Sequence, residues 1–132
     1  MKDAPYINGH AYHPQVAELF QRTPFAGRME AGPGVFVGKA GAQSDGAEVR
    51  FWLKSGGGRI QAISFLAYGC PHTIAAAAWV AHHARGLALA DVGRTAWLEV
   101  ERALAVPAQK RGRLLIVEDA LKAAARKAAE NV

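Results

Sequence analysis

The tightest constraint on this chain is a short alternating stretch near its middle. From Glu48 to Lys54, Val49, Phe51 and Leu53 fall on one side, and Arg50, Trp52 and Lys54 on the other. Successive side chains of a strand point to opposite faces, so this pattern predicts a half-buried β-strand. Gly56-Gly57-Gly58 follows, and glycine accepts the positive φ that a tight turn needs. Arg59 to Tyr68 then reads as a second strand, antiparallel to the first. A third strand is predicted over Val35 to Ala40, among recurrent glycines. The middle of the chain is therefore an antiparallel meander.

Helices flank it. Pro14 to Phe20 places Val16, Leu19 and Phe20 at i, i+3 and i+4, and Thr23-Pro24 stops it. Thr73 to Ala84 is proline-free and ends before Gly86. Leu89 to Leu104 is helical with a break near Gly93, and Pro107 interrupts the chain. The last helix is expected over Arg113 to Glu130, with Leu114, Val117, Leu121, Ala124 and Ala128 as its buried stripe. Strands followed by a run of helices predict an α+β domain, a three-stranded antiparallel sheet with helices packed on one face. At 132 residues the chain is one domain, 1–132, with residues 1–11 expected to be a mobile segment.

Composition excludes several classes. With 51% apolar and 20% charged residues, the chain is neither disordered nor fibrous. No apolar run is long enough to span a bilayer as a helix. The first residues, Met1 to Tyr6, lack the apolar run of a secretory signal, so the default expectation is cytosolic. The formal charge of +5 is spread along the chain, with one local cluster at Lys110, Arg111 and Arg113. Without concentrated charge and stacking aromatics, nucleic acid is not expected as the main ligand. The single cysteine makes no internal disulfide and builds no four-cysteine metal site within one chain.

That cysteine, Cys70, is the leading candidate for chemistry. It follows Tyr68-Gly69 at a strand end and precedes Pro71 and a helix. Backbone N–H groups and the positive dipole end at a helix N-terminus stabilise the thiolate, the nucleophilic and metal-ligating form. The competing reading is a buried cysteine acting as a small hydrophobe. His72 is either a second member of that site or a polar surface residue of the first helical turn. Asp45, in a glycine-flanked loop, is either a hard oxygen ligand or turn chemistry. His82 and His83 diverge by roughly 100° on one helix and are not expected to share a metal. Glu118 and Asp119 are read as complementing the last helix's dipole. There is no G-x-S-x-G, P-loop or G-x-G-x-x-G, and no acid–base–nucleophile set, so an enzyme with its own substrate is not expected.

A family pattern runs through these residues. Tyr12-His13-Pro14, Phe65 to Cys70, Ile74-Ala75-Ala76 and Glu118 to Ala124 stand in order along the chain. Together they resemble the U-type iron–sulfur cluster scaffolds, IscU and the NifU N-terminal domain, from about Tyr12 to Ala129. The resemblance implies the SufE/NifU-like fold, a three-stranded antiparallel sheet covered by helices. It implies a [2Fe–2S] cluster or zinc held on three cysteines plus an aspartate or histidine, with Cys70 as the middle cysteine. The first cysteine position falls in Gln43-Ser44-Asp45-Gly46, where there is no cysteine and Asp45 is the nearest substitute. The third falls in Lys110-Arg111-Gly112-Arg113, where two arginines replace soft ligands. A guanidinium does not ligate metals at neutral pH. The chaperone-recognition stretch of the family becomes Val106-Pro107-Ala108-Gln109-Lys110.

Clusters need four ligands, mostly thiolates. One chain supplies one thiolate, with Asp45 and His72 as the other candidates. Arg111 and Arg113 beside Cys70 would favour thiolate and attract anions. The resemblance thus implies a scaffold-like protein of iron–sulfur assembly, with Cys70 carrying sulfur as a persulfide or contributing to a shared metal site. The alternative is a non-catalytic interaction module that kept the fold and binds no metal. Implied partners are a cysteine desulfurase or other assembly proteins, and a second copy of the chain. Trp52, opposite the apolar face of its strand, is expected to point outward and, with Leu66, to form an interface patch. The alternative cover for that face is the N-terminal segment with Tyr6, Ile7 and Tyr12.

Overall fold

The computed structural model describes residues 6–7, 10–22, 25–94 and 97–131. The alternation of the central stretch sets its architecture. Strand β4 (Ala47–Gly56) pairs antiparallel with β5 (Arg59–Tyr68) through the glycine turn, with a register shift at Lys54/Ser55. Strand β3 (Val35–Ala42) pairs along the other side of β4, giving the order β3-β4-β5. Short strands β1 (Tyr6–Ile7) and β2 (His10–Ala11) pair with each other. The expected mobility of residues 1–11 concerns a segment of which 1–5, 8 and 9 lie outside the described residues.

Among the described residues the α-helices are α1 (Pro14–Arg22), α2 (Pro71–Ala84), α3 (Trp97–Ala103) and α4 (Arg111–Glu130). Both α2 and α4 start two residues earlier than their apolar patterns suggest. Pro71 fits the first helical turn because it has no N–H to satisfy. The region after α2 begins as a 3₁₀ turn, Leu89–Arg94, before α3. Helix α4 packs on β3 and β4, and α2 packs on β5 and on α1. Val49, Phe51, Leu53 and Phe65 on the helix-facing side are fully or almost fully buried, as are Val117, Leu121 and Ala124 of α4. Contact between β3 and α4 is closest at Gly38. A Cβ there would lie 2.2 Å from Ala124 N and 2.3 Å from Ala120 O, so only glycine fits.

The opposite face of the sheet corrects one expectation. Trp52 is 7% exposed, not an outward anchor. No helix covers it. The Gly27 N–H donates to Phe65 O, and the Phe65 N–H to Phe25 O, so residues 25–27 line the free edge of β5. The chain re-enters the sheet as β3, on the far edge. Residues 28–34 must bridge the two edges. Arg28 shares a cleft with Arg50, Leu66 and Tyr68, which puts the start of this bridge on the helix-free face. Trp52 lies between Val37 and Ser64 in the register. Leu66, opposite Arg50, does lie on this face and stays 37% exposed.

Candidate functional site

Three chain segments end at one edge of the sheet. In the register Glu48 faces Tyr68, so the loop before β4 and the turn after β5 leave together. The first carries Asp45, the second Cys70. The start of α4 joins them: an Arg113 Nη lies 3.4 Å from where a Cβ on Gly46 would sit.

Cys70 is the N-cap residue of α2, with extended backbone angles of φ −71° and ψ 167°. Gly69 precedes it at φ +155°, and a Cβ there would press on Thr73 at 3.0 Å. The sharp strand-to-helix turn therefore needs glycine. Cys70 Sγ is 3.6 Å from Thr73 Oγ1, which sits at the third helical position. Partial burial pushes the thiol pKa up. Hydrogen bonding from the His72 and Thr73 side chains and their backbone N–H groups outweighs this, and the thiol falls to about 6. At neutral pH the sulfur is a thiolate, and it is part-exposed.

His72 is not the solvated residue that its place in a first helical turn allowed. It is 8% exposed, its ring lies 4.9 Å from that of Tyr12, and its Nδ1 is buried with no hydrogen-bond partner. Burial, and then the negative charge of Cys70, raise the Tyr12 pKa. His72 and Thr73 thus flank Cys70, and Tyr12 packs on His72.

The arginines behave differently from their expected role. Arg111 pairs with Glu101 of α3, and Arg113 lies over Gly46. What holds the Cys70 thiolate is hydrogen bonding, not guanidinium charge. Asp45 is exposed on a 3₁₀ turn, Gln43–Asp45. Among the described residues no group of three His, Cys, Asp or Glu stands where it could hold a metal ion.

The other candidates have local explanations. Glu118 pairs with Lys122 at 2.6 Å, an i,i+4 contact two turns into α4 rather than a dipole complement. His13 Nδ1 accepts from the Gln15 N–H at the start of α1. His82 and His83 are exposed, with ring centroids 5.1 Å apart, closer than their divergence on the helix suggests. His83 stacks on Trp79 and bonds its carbonyl at 2.8 Å. The side chain of His10 lies outside the described residues.

Sequence reasoning missed Thr73 and Tyr12. Thr73 has a readable signal, three residues after Cys70 on a helix. Tyr12 has none, because its approach depends on how α1 packs on α2.

The NifU-like N terminal domain model matches residues 11–131. The chain belongs to this family. Among curated relatives, the mitochondrial iron sulfur cluster assembly protein 1 of Candida glabrata is 29% identical over 121 residues, 89% of this chain and 57% of that protein. This chain thus spans little more than half of that relative. The bifunctional protein NifU/MnmA of Rubrobacter xylanophilus is 34% identical over 97 residues, 73% of this chain and 20% of that protein. A NifU-like N-terminal structure from Brucella abortus superposes with a TM-score of 0.70 at 14% identity, covering 91% of this chain and 95% of that one. This last match bears on the fold, and agrees with the α+β sheet-and-helix arrangement. The cytosolic expectation is overturned, because the yeast relatives are mitochondrial proteins. It had rested on the lack of a secretory apolar run, which has no bearing on a mitochondrial setting.

Proposed function

We propose that this NifU-like domain works in iron–sulfur cluster assembly, and that its own part is to accept one sulfane sulfur on Cys70 as a persulfide. The observation that carries this reading is the surrounding of the sulfur. A part-exposed Sγ caps a helix, Thr73 Oγ1 lies 3.6 Å from it, and hydrogen bonding from His72 and Thr73 holds it as the nucleophilic thiolate.

The transfer balances without an external oxidant. The Cys70 thiolate attacks the terminal sulfur of a partner cysteine persulfide, as a cysteine desulfurase would present it. The partner's S–S bond breaks, and its electron pair leaves on the partner's own sulfur. A new S–S bond forms on Cys70, with the proton kept on the transferred atom. The cluster itself is cargo completed elsewhere, with ligands from another chain, because Asp45 and His72 do not join Cys70 in a metal-holding group. The chain acts as a carrier rather than an enzyme.

The test is oxygen-free purification of wild type and Cys70→Ser after incubation with a cysteine desulfurase and cysteine. Expected is sulfane sulfur on the wild type alone, with iron well below one cluster per chain. Recovery of about one cluster per chain from the monomer, kept through gel filtration, overturns the reading. Stable capture of the desulfurase with no sulfur on Cys70 favours the interaction module instead.

A further inference from the structure

We propose that the outer edge of β5 at Ala67 is a strand-addition site for an extended partner segment that carries apolar and acidic side chains on one face. The backbone supplies the first part of the argument. Phe65 turns both of its backbone groups away from β4: its N–H donates to Phe25 O, and its C=O accepts from the Gly27 N–H. Alternate residues of an antiparallel strand bond on the same side. The register runs unbroken from Phe51↔Phe65 to Val49↔Ala67, so the N–H and C=O of Ala67 point outward as well. The segment that satisfies Phe65 runs parallel to β5 through Ala26. One step further it would offer Gly27 O to the Ala67 N–H and the Met29 N–H to Ala67 O. Neither bond is made among the described residues, and Gly27, at φ +131°, turns the chain away instead. An open donor and acceptor on a sheet edge are a template for another strand.

The side chains at this edge fix the kind of segment. Ala67 lines a cleft of about 230 Å³ together with Arg28, Glu48, Arg50, Leu66 and Tyr68. Leu66 and Tyr68 flank Ala67 and point to the opposite, helix-free face. Both are exposed large apolar side chains, at 37% and 52%. A strand laid along the edge brings every second side chain to that same face. There Leu66 and Tyr68 offer apolar contact, and the cations offer charge. Glu48 is shared between Lys39 at 3.3 Å and Arg50 at 3.8 Å. Arg28 is exposed and takes part in no ion pair among the described residues. Arg28, Lys39 and Arg50 against Glu48 leave positive charge unspent, and a carboxylate is its complement.

This is recognition by strand addition, in which main-chain hydrogen bonds hold the segment and its alternate side chains select it. It involves neither the Cys70 sulfur nor iron, so it fails or stands separately from the carrier reading.

The test is an amide-resolved NMR titration of the full chain with the peptide acetyl-Thr-Leu-Thr-Glu-Thr-Leu-amide, whose leucines and glutamate share one face. In the free chain the Ala67 amide should exchange with solvent at least about tenfold faster than the Phe65 amide. On adding peptide, the Ala67 amide should shift and its exchange should slow. Arg28→Ala should weaken binding by about two- to fivefold, the range for one exposed ion pair. Arg126→Ala, which removes the same charge from an exposed site on α4, should leave it unchanged. Methylating every backbone nitrogen of the peptide should abolish the Ala67 response. An Ala67 amide already as protected as Phe65 in the free chain overturns the proposal, because the edge is then paired. So does a peptide that leaves Ala67 unmoved, or one that binds equally well when methylated, when its glutamate is replaced by lysine, or when Arg28 is removed. Ala67 shifts that grow with protein concentration in the absence of peptide would assign the edge to a second copy of the chain and overturn the acidic partner.

Discussion

The two ends of α2 carry the same residue types in opposite physical situations. At the C-terminal end His83 lies on the surface, stacked on Trp79, with its Nδ1 bonded to a backbone carbonyl. Its Nδ1 is satisfied by that carbonyl, and the ring is open to solvent. At the N-terminal end His72 is buried, with Nδ1 unpaired next to a thiolate. A buried polar atom without a partner costs about 1–3 kcal/mol. Histidine identity alone therefore says little; burial beside the sulfur is what sets His72 apart from His83.

The largest break of this contrast is Cys70→Ser. It is expected to remove all reaction with disulfide and alkylating reagents, since the chain has no other thiol. Residual modification after that change would locate the reactivity elsewhere.

Next in size is the pH profile. A thiol lowered to about 6 stays ionised as the pH falls toward 6, where an ordinary thiol is already protonated. A lower pKa also weakens each thiolate as a nucleophile. Combining the two, Cys70 should exchange with an uncharged disulfide about 20-fold faster than an ordinary thiol at pH 5, with the order reversed near pH 8. A profile still rising steeply between pH 8 and 9 would mean that the hydrogen bonds to Sγ are not made.

His72→Leu sharpens the comparison further. Removing an unsatisfied buried nitrogen for an apolar group should leave stability unchanged or raise it by about 1 kcal/mol in denaturant unfolding. The same change should move the Cys70 ionisation midpoint upward, because one stabilising group is lost. Thr73→Val is expected to shift that midpoint in the same direction, by less. His83→Ala should do least, with a stability change under about 0.5 kcal/mol and no movement of the Cys70 profile. Equal midpoint shifts from His72→Leu and His83→Ala would erase the distinction between the two ends.

Much of the fold was legible in the sequence for a local reason. The alternation from Val49 to Leu53 and the glycine turn specify a hairpin without reference to anything distant. The Gly69-Cys70-Pro71 turn was equally local. Trp52 was misread because alternation tells which residues share a face and not what covers it. Arg111 was misplaced for a related reason: proximity in sequence to a family ligand position does not exclude a partner on α3, and Glu101 takes it. Tyr12 meets His72 only because α1 packs on α2, a contact no spacing rule reports.

The most direct measurement is the intact mass of the chain after oxygen-free turnover with a cysteine desulfurase and cysteine, read before and after treatment with a reducing thiol. A gain of one sulfur atom on Cys70, lost on reduction and absent from Cys70→Ser, is the predicted result. An unchanged mass while the desulfurase turns over, with the Cys70 thiol free and reactive, would contradict the assignment of Cys70 as the sulfur acceptor.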